Sequence, residues 1–204
     1  MTKTIASLCL SLLSMVVFAQ PDGADELMVV LKKIGSMQGE FTQLQYDESN
    51  TLVGESSGNF RLLRPGYFAW EIKSPDSQFI VADPQYLWHH DRDLETVTRR
   101  GIDDSEQMSP LQVLGGDEAL LRRSFAVEKT AENTYTMRPV SISPGFKSLS
   151  VAFVGSDFDS LEIIDNLSQK IVISFVNIDS ASELSPESFS FSPPEEADFF
   201  DYVQ

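Results

Sequence analysis

Beyond its first twenty residues this 204-residue sequence has no cysteine, because the single one is Cys9. A chain trimmed after that stretch forms no intramolecular disulfide and offers no thiol nucleophile. Basic residues are scarce, 15 against 31 acidic ones, and the net charge of −16 repels phosphate backbones and anionic headgroups. Nucleic acid and direct binding to a membrane surface are therefore poor expectations. Only two histidines occur, His89 and His90, and they are adjacent. Neighbouring side chains on a strand project to opposite faces, so this pair cannot ligate one ion without a bulge, and no metal site is expected. There is no GxSxG elbow and no phosphate-cradling loop, and no spacing among the acidic residues singles out a catalytic pair. No catalytic residue and no cofactor is expected, with a carboxylate-dependent secreted hydrolase kept as an alternative.

Long apolar runs are also missing, apart from the start. MTKTIASLCLSLLSMVVFAQ runs from basic Lys3 through an apolar stretch to Val17, Phe18 and Ala19. This is the pattern of a cleavable export signal, too short to span a bilayer comfortably. Leu8 precedes Cys9 where lipid attachment needs a small residue, so a lipid anchor is not expected. The reading is residues 1–19 as signal peptide and 20–204 as one soluble, exported domain.

What is present is strand alternation. Asp25 to Ile34 reads as a short amphipathic helix, with Gly35 placed to end it. Period-two segments follow at Glu40 to Tyr46, Ser57 to Leu63, Tyr67 to Lys73, Gln78 to Ala82, Tyr86 to Asp91 and Leu94 to Arg99. From Gly101 to Arg123 helix punctuation takes over. Ser109 can cap, Pro110 fits a first turn, Leu111 and Leu114 lie within it, Gly115 and Gly116 can end it, and Asp117 can start a second short helix through Leu121. Alternation resumes at Phe125 to Lys129, Thr134 to Val140, Leu149 to Val154, Ser160 to Ile164, Lys170 to Val176 and Glu187 to Phe191. The pattern describes a long antiparallel meander interrupted once by a helical insert. Fourteen Phe, two Trp and five Tyr suit either a filled core or a sheet curved round an apolar cavity.

RPGYFAWEI, from Arg64 to Ile72, poses the sharpest question. Phe68, Trp70 and Ile72 share one face, and counting back at the same parity adds Phe60, Leu62 and Arg64. A guanidinium at the rim of an aromatic face can snorkel to water over Phe68. Alternatively its five donors reach carbonyls of the helical insert and latch it across the face as a lid.

The segments GEFTQ (Gly39 to Gln43), SSGNFRLLRPGYFAW (Ser56 to Trp70), QFIVADPQYLWHHD (Gln78 to Asp91), DLETVTRR (Asp93 to Arg100), SPLQVL (Ser109 to Leu114) and FSFSPP (Phe189 to Pro194) together resemble the LolA family of periplasmic lipoprotein carriers. The resemblance runs in order along nearly all of the chain beyond the leader. Pro84 departs from it, standing where the family commonly has glycine.

The resemblance implies an incomplete antiparallel β-barrel, a half-barrel, with an N-terminal helix and short lid helices over an apolar cavity. It implies that Arg64 latches the lid, that Phe60, Leu62, Phe68, Trp70 and Ile72 line the acyl-chain cavity, and that Pro110, Leu111 and Leu114 belong to the lid helices. It further implies a carrier in the periplasm that takes triacylated lipoprotein from an inner-membrane lipoprotein-releasing ABC transporter complex and passes it to an outer-membrane lipoprotein receptor, and a carrier that docks mouth to mouth works naturally as a monomer. At about 0.8 kcal/mol per CH₂, roughly 45 methylenes would cost on the order of 36 kcal/mol in water, so the lipid cannot cross unshielded. A carrier of another lipid or a glycolipid is the alternative binding function. A lipid-anchored receptor of the same half-barrel shape is disfavoured by the leader.

Overall fold

The structure is a computed structural model that describes residues 23–102, 115, 118–141 and 145–203. The expected leader lies outside these residues, as do Pro110, Leu111 and Leu114. Helix α1 (Gly23–Leu31) leads into β1 (Ser36–Tyr46), β2 (Leu52–Leu63), β3 (Tyr67–Ser74), β4 (Gln78–Ala82), β5 (Tyr86–Asp91) and β6 (Thr96–Gly101). After α2 (Glu118–Ser124) come β7 (Phe125–Ala131), β8 (Thr134–Pro139), β9 (Phe146–Val154), β10 (Asp157–Asp165), β11 (Lys170–Asp179) and β12 (Asp198–Asp201). The twelve strands of the described residues form one open sheet, in the order β12-β6-β5-β4-β3-β2-β1-β11-β10-β9-β8-β7. The mostly-β, unclosed architecture is the one expected from the sequence.

Two expectations need correction. Glu187 to Phe191 is not a strand: Pro186–Phe189 is a 3-10 helix, with Pro186 supplying the fixed φ that suits its first turn. The sheet is also not wholly antiparallel, because β12 pairs parallel with β6 in the register Phe199 to Val97 and Phe200 to Thr98. The long excursion from β11 across the outside of the sheet makes that direction possible.

The tight turns account for part of the acidity. Asp47, Asp83, Asp91, Asp165 and Asp179 stand at strand ends, and each accepts two backbone N–H groups through one carboxylate oxygen, such as Gln85 at 2.7 Å and Tyr86 at 2.8 Å on Asp83. Asx turns of this kind replace the missing ladder bonds at a strand end. Pro84 is accommodated inside the Asp83 turn, where it needs no N–H. Three hydrogen bonds from Ser182 and Ala181 and one from Gln38 hold the Asp179 carboxyl down at about 2.

Gly58 shows why this sequence pairs as it does. A side chain there would begin 1.7 Å from the Glu71 carbonyl oxygen, at the bulge where β2 shifts register against β3. Only glycine permits that approach. The far edge of the sheet is managed differently. Gly23, at the start of α1, sits so close to β7 that a Cβ would lie 2.6 Å from the Val127 carbonyl oxygen. Ion pairs of Lys129 with Glu26, of Arg122 with Asp25 and Glu118, and of Lys32 with Glu118 tie α1, α2 and β7 together. The inner face of α1, Leu27, Met28 and Leu31, is buried in the main core.

Candidate functional site

Strand parity divides the aromatic residues between two faces. On the inner face Phe60 is paired with Trp70 and Leu62 with Phe68, side by side across β2 and β3. Trp70 stacks on Phe41 from β1 with ring centroids 3.6 Å apart and meets Phe175 from β11 edge-on at 6.2 Å. Phe60 and Phe158 also flank Phe175, at 4.8 and 5.7 Å. Such aromatic contacts add attraction beyond area burial but impose no hydrogen-bond geometry.

The structure thus brings Phe60, Leu62, Phe68 and Trp70 together, and with Phe158 and Phe175 they line a void of about 20 Å³. Ile72, half-buried, packs against the same cluster. A void of that size has room for about one water molecule and is far too small for an acyl chain. The rings around this void pack against one another, and an acyl chain that enters among them needs them to part. The more spacious hollow, about 390 Å³, lies on the other face, and its lining includes Gln38, Glu40, Asn59, Arg61, Glu71 and Asp179. Its polar walls do not suit a hydrocarbon.

Arg64 follows β2 at the edge of this inner face and is half-buried, and its backbone N–H donates to the Gly35 carbonyl at 2.9 Å. A cis peptide joins it to Pro65. Gly66 adopts φ +88°, a conformation that glycine takes without strain, and its N–H donates to the Gly115 carbonyl at 2.7 Å. Gly115 is buried against Leu62, where a Cβ would lie 3.2 Å from the Leu62 Cδ1. The RPG turn is thus a point where Gly115 of the insert meets the sheet.

The outer face carries a second cluster, which the alternation pattern does not reveal. Phe189, from the 3-10 helix, is buried beside Tyr67 with the Arg61 guanidinium 5.9 Å from its ring centre. Phe191 packs between Phe79 and Trp88, and Phe199 of β12 stacks on Trp88 at 5.8 Å. Arg99 lies 4.8 Å over Tyr86 and 5.2 Å over Trp88 and binds both carboxylate oxygens of Asp201. The alternating Phe189 and Phe191 of FSFSPP are the one signal for it in the sequence: the period fits an extended strap across a sheet as well as a strand within one.

The two histidines do face apart. His89, on the inner face, shares a hydrogen bond with Gln78 at 3.2 Å, whereas His90 packs outside against Phe191. Burial depresses the pKa of both below the ordinary imidazole value, most of all through lost solvation. Among the described residues no group of three or more His, Cys, Asp or Glu is placed to hold a metal ion, and no helix is long and apolar enough to cross a membrane.

Comparison with protein families matches residues 32–192 to the family described as outer membrane lipoprotein carrier protein LolA. An outer-membrane lipoprotein carrier protein of Alkalilimnicola ehrlichii is 33% identical over 195 residues, covering 95% of this chain and 91% of its own. One from Chromohalobacter salexigens is 32% identical over 183 residues, covering 88% and 87%. Among solved structures, an uncharacterized conserved protein from Thermus thermophilus superposes with a TM-score of 0.54 at 12% identity over 87% of this chain and 98% of that one. A DUF1329 family protein from Desulfovibrio piger gives 0.52 at 9% identity over 82% and 95%. Those two likenesses speak for the fold alone.

Proposed function

The chain belongs to the LolA family of outer membrane lipoprotein carrier proteins, and from that premise we propose how its inner face works as a lipoprotein chaperone in the periplasm. The observation that carries the proposal is the inner aromatic cluster, whose rings pack around a void of about 20 Å³. Acyl chains of a triacylated lipoprotein insert between its rings. Phe60, Leu62, Phe68, Trp70 and Ile72 are the lining residues. The dispersion attraction that the rings give up as they part is recovered against the chains, so opening need not expose hydrocarbon to water.

The insert serves as the lid, with Pro110, Leu111 and Leu114 in it, and Arg64 as its latch. The Gly66 to Gly115 hydrogen bond supports this reading, because it ties one point of the insert to the turn beside Arg64. Contacts that stabilise the closed, empty carrier oppose the loaded one by the same amount, which favours onward transfer. The carrier works as a monomer without catalytic chemistry or cofactor. It receives cargo from an inner-membrane lipoprotein-releasing ABC transporter complex and yields it to an outer-membrane lipoprotein receptor, each meeting the cavity mouth directly. Residues 1–19 act as the export signal, and 20–204 form the carrier domain.

Native mass spectrometry of the protein purified from its own periplasm tests the function. A co-purified triacylated lipoprotein is expected, enriched in Arg64→Leu. Recovery of free lipid or glycolipid alone would transfer the assignment to the other carrier class. In a reconstituted transfer assay Arg64→Leu is expected to hold its cargo against the receptor, and normal unloading would remove the latch role.

A further inference from the structure

Burial along the inner face is graded. Trp70 on β3 is 4% exposed, whereas Phe200 and Tyr202, at the β12 edge, are 47% and 54% exposed. Between these extremes the register sets Ile80, His89, Thr98 and Phe200 in one row across β4, β5, β6 and β12, with Leu87 and Arg100 paired in the next. Ile80 and Leu87 pack against the main core, so the floor is apolar. His89, Thr98 and Arg100 interrupt it with a polar strip, and Phe200 and Tyr202 close it with an aromatic rim.

The strip has donors to spare. Arg99 and Arg100 are neighbours, yet Arg99 commits its guanidinium to Asp201 outside, while Arg100 lies inside, 5.2 Å over the Tyr202 ring, with no carboxylate or hydrogen-bond partner among the described residues. The Thr98 hydroxyl makes no hydrogen bond there either, and His89 uses one nitrogen, on Gln78. Asp91, the nearby carboxylate of β5, is occupied by the turn amides of Asp93 and Leu94. A half-buried guanidinium with no acceptor among the described residues can take one from a ligand.

We infer that His89, Thr98 and Arg100 bind the carbonyl-rich headpiece of the cargo, the ester and amide oxygens that join the acyl chains to the lipoprotein's first residue. This deepens the carrier reading and rests on it. Ester and amide carbonyls only accept, and the strip mainly donates. The order from apolar floor through donors to exposed rim matches an acylated peptide whose chains lie among the β1 to β3 rings and whose polypeptide leaves over β12. Phe200 and Tyr202 then border the exit.

The probes are a synthetic triacyl-S-glyceryl-cysteinyl pentapeptide and its ether-linked analogue, in which the two ester carbonyls are replaced by methylenes. Binding is followed by titration calorimetry on the full mature protein. Wild type is expected to prefer the ester form about tenfold, the discrimination that a charge-assisted hydrogen bond supplies. Arg100→Leu abolishes that preference while the ether analogue binds as before, Arg100→Lys restores part of it, and Thr98→Val lowers it independently should Arg100→Leu fold poorly. Equal binding of both probes by wild type, or an unaltered preference in Arg100→Leu and Thr98→Val, overturns the headpiece site alone. Binding of neither probe by wild type overturns the carrier reading and this site with it.

Discussion

Each tryptophan sits in its own aromatic cluster, and the two clusters differ in what completes them. Trp88, outside, is covered by the chain's own C-terminal strap through Phe191 and Phe199, and Arg99 with Asp201 pins the arrangement. Trp70, inside, is completed by rings of the sheet itself, Phe41, Phe60 and Phe175, around a small void. The outer cluster has a covalently attached occupant whose polar contacts fix one geometry. The inner cluster is held by dispersion and burial alone, which another hydrocarbon can replace at little net cost. That contrast is how one sheet is both a stable scaffold and a site that opens.

Removing a ring from either cluster is the largest way to break the comparison. Phe41→Ala and Phe189→Ala should each cost about 3–5 kcal/mol in urea denaturation, because both delete a buried aromatic side chain. Their effects on loading should differ: Phe41→Ala changes lipopeptide affinity, while Phe189→Ala leaves it within about twofold. Equal losses of affinity would mean that the two faces are coupled. A smaller effect is expected from Asp201→Asn, which weakens the clamp on Arg99. Trp88 emission should shift to the red while Trp70 emission holds, which single-tryptophan variants would separate.

Acid should produce graded and smaller changes. The Asp179 carboxyl sits at about 2, and those of Asp47 and Asp201 are lowered as well, by hydrogen bonds from the Thr51 backbone amide and the Ser49 side chain and from Arg99 respectively. A lowered carboxylate pKa contributes stability that is present above the unfolded value near 3.9 and disappears as pH falls toward the folded one. The denaturation midpoint should therefore decline between about pH 4 and pH 2. The two histidines act earlier and in the same direction. Their folded pKa values lie below the unfolded 6.5, so the unfolded chain binds more protons and stability drops as pH falls below about 6.5. His89→Gln should flatten the slope between pH 7 and 5; an unchanged slope would place the proton uptake elsewhere.

Much of the inner face was legible because period-two alternation reports parity directly. Phe60, Leu62, Phe68 and Trp70 fall on one face from counting alone, and the opposite projection of His89 and His90 follows from the same rule. The outer cluster was not legible, since Phe189 and Phe191 alternate equally well in a strap laid over a sheet, and Pro186 alone hinted at the 3-10 turn. β12 escaped notice because it is four residues long, carries Asp at both ends and pairs parallel with a strand about 100 residues earlier. Acidity read from composition as solubility, but four aspartates turn out to shape hairpins and a fifth, Asp179, the turn that ends β11, roles that depend on where strands end rather than on charge.

The central claim is that the inner cluster opens to hydrocarbon while the outer one stays shut. Emission of Trp88→Phe, which keeps Trp70 as sole reporter, measured while triacylated lipopeptide is added, tests it most directly, with Trp70→Phe as the matched reporter of the outer face. The expected result is a saturable change in Trp70 emission with Trp88 unmoved at the same occupancy. Bound lipopeptide that leaves Trp70 unaltered, or that moves Trp88 instead, would contradict the account.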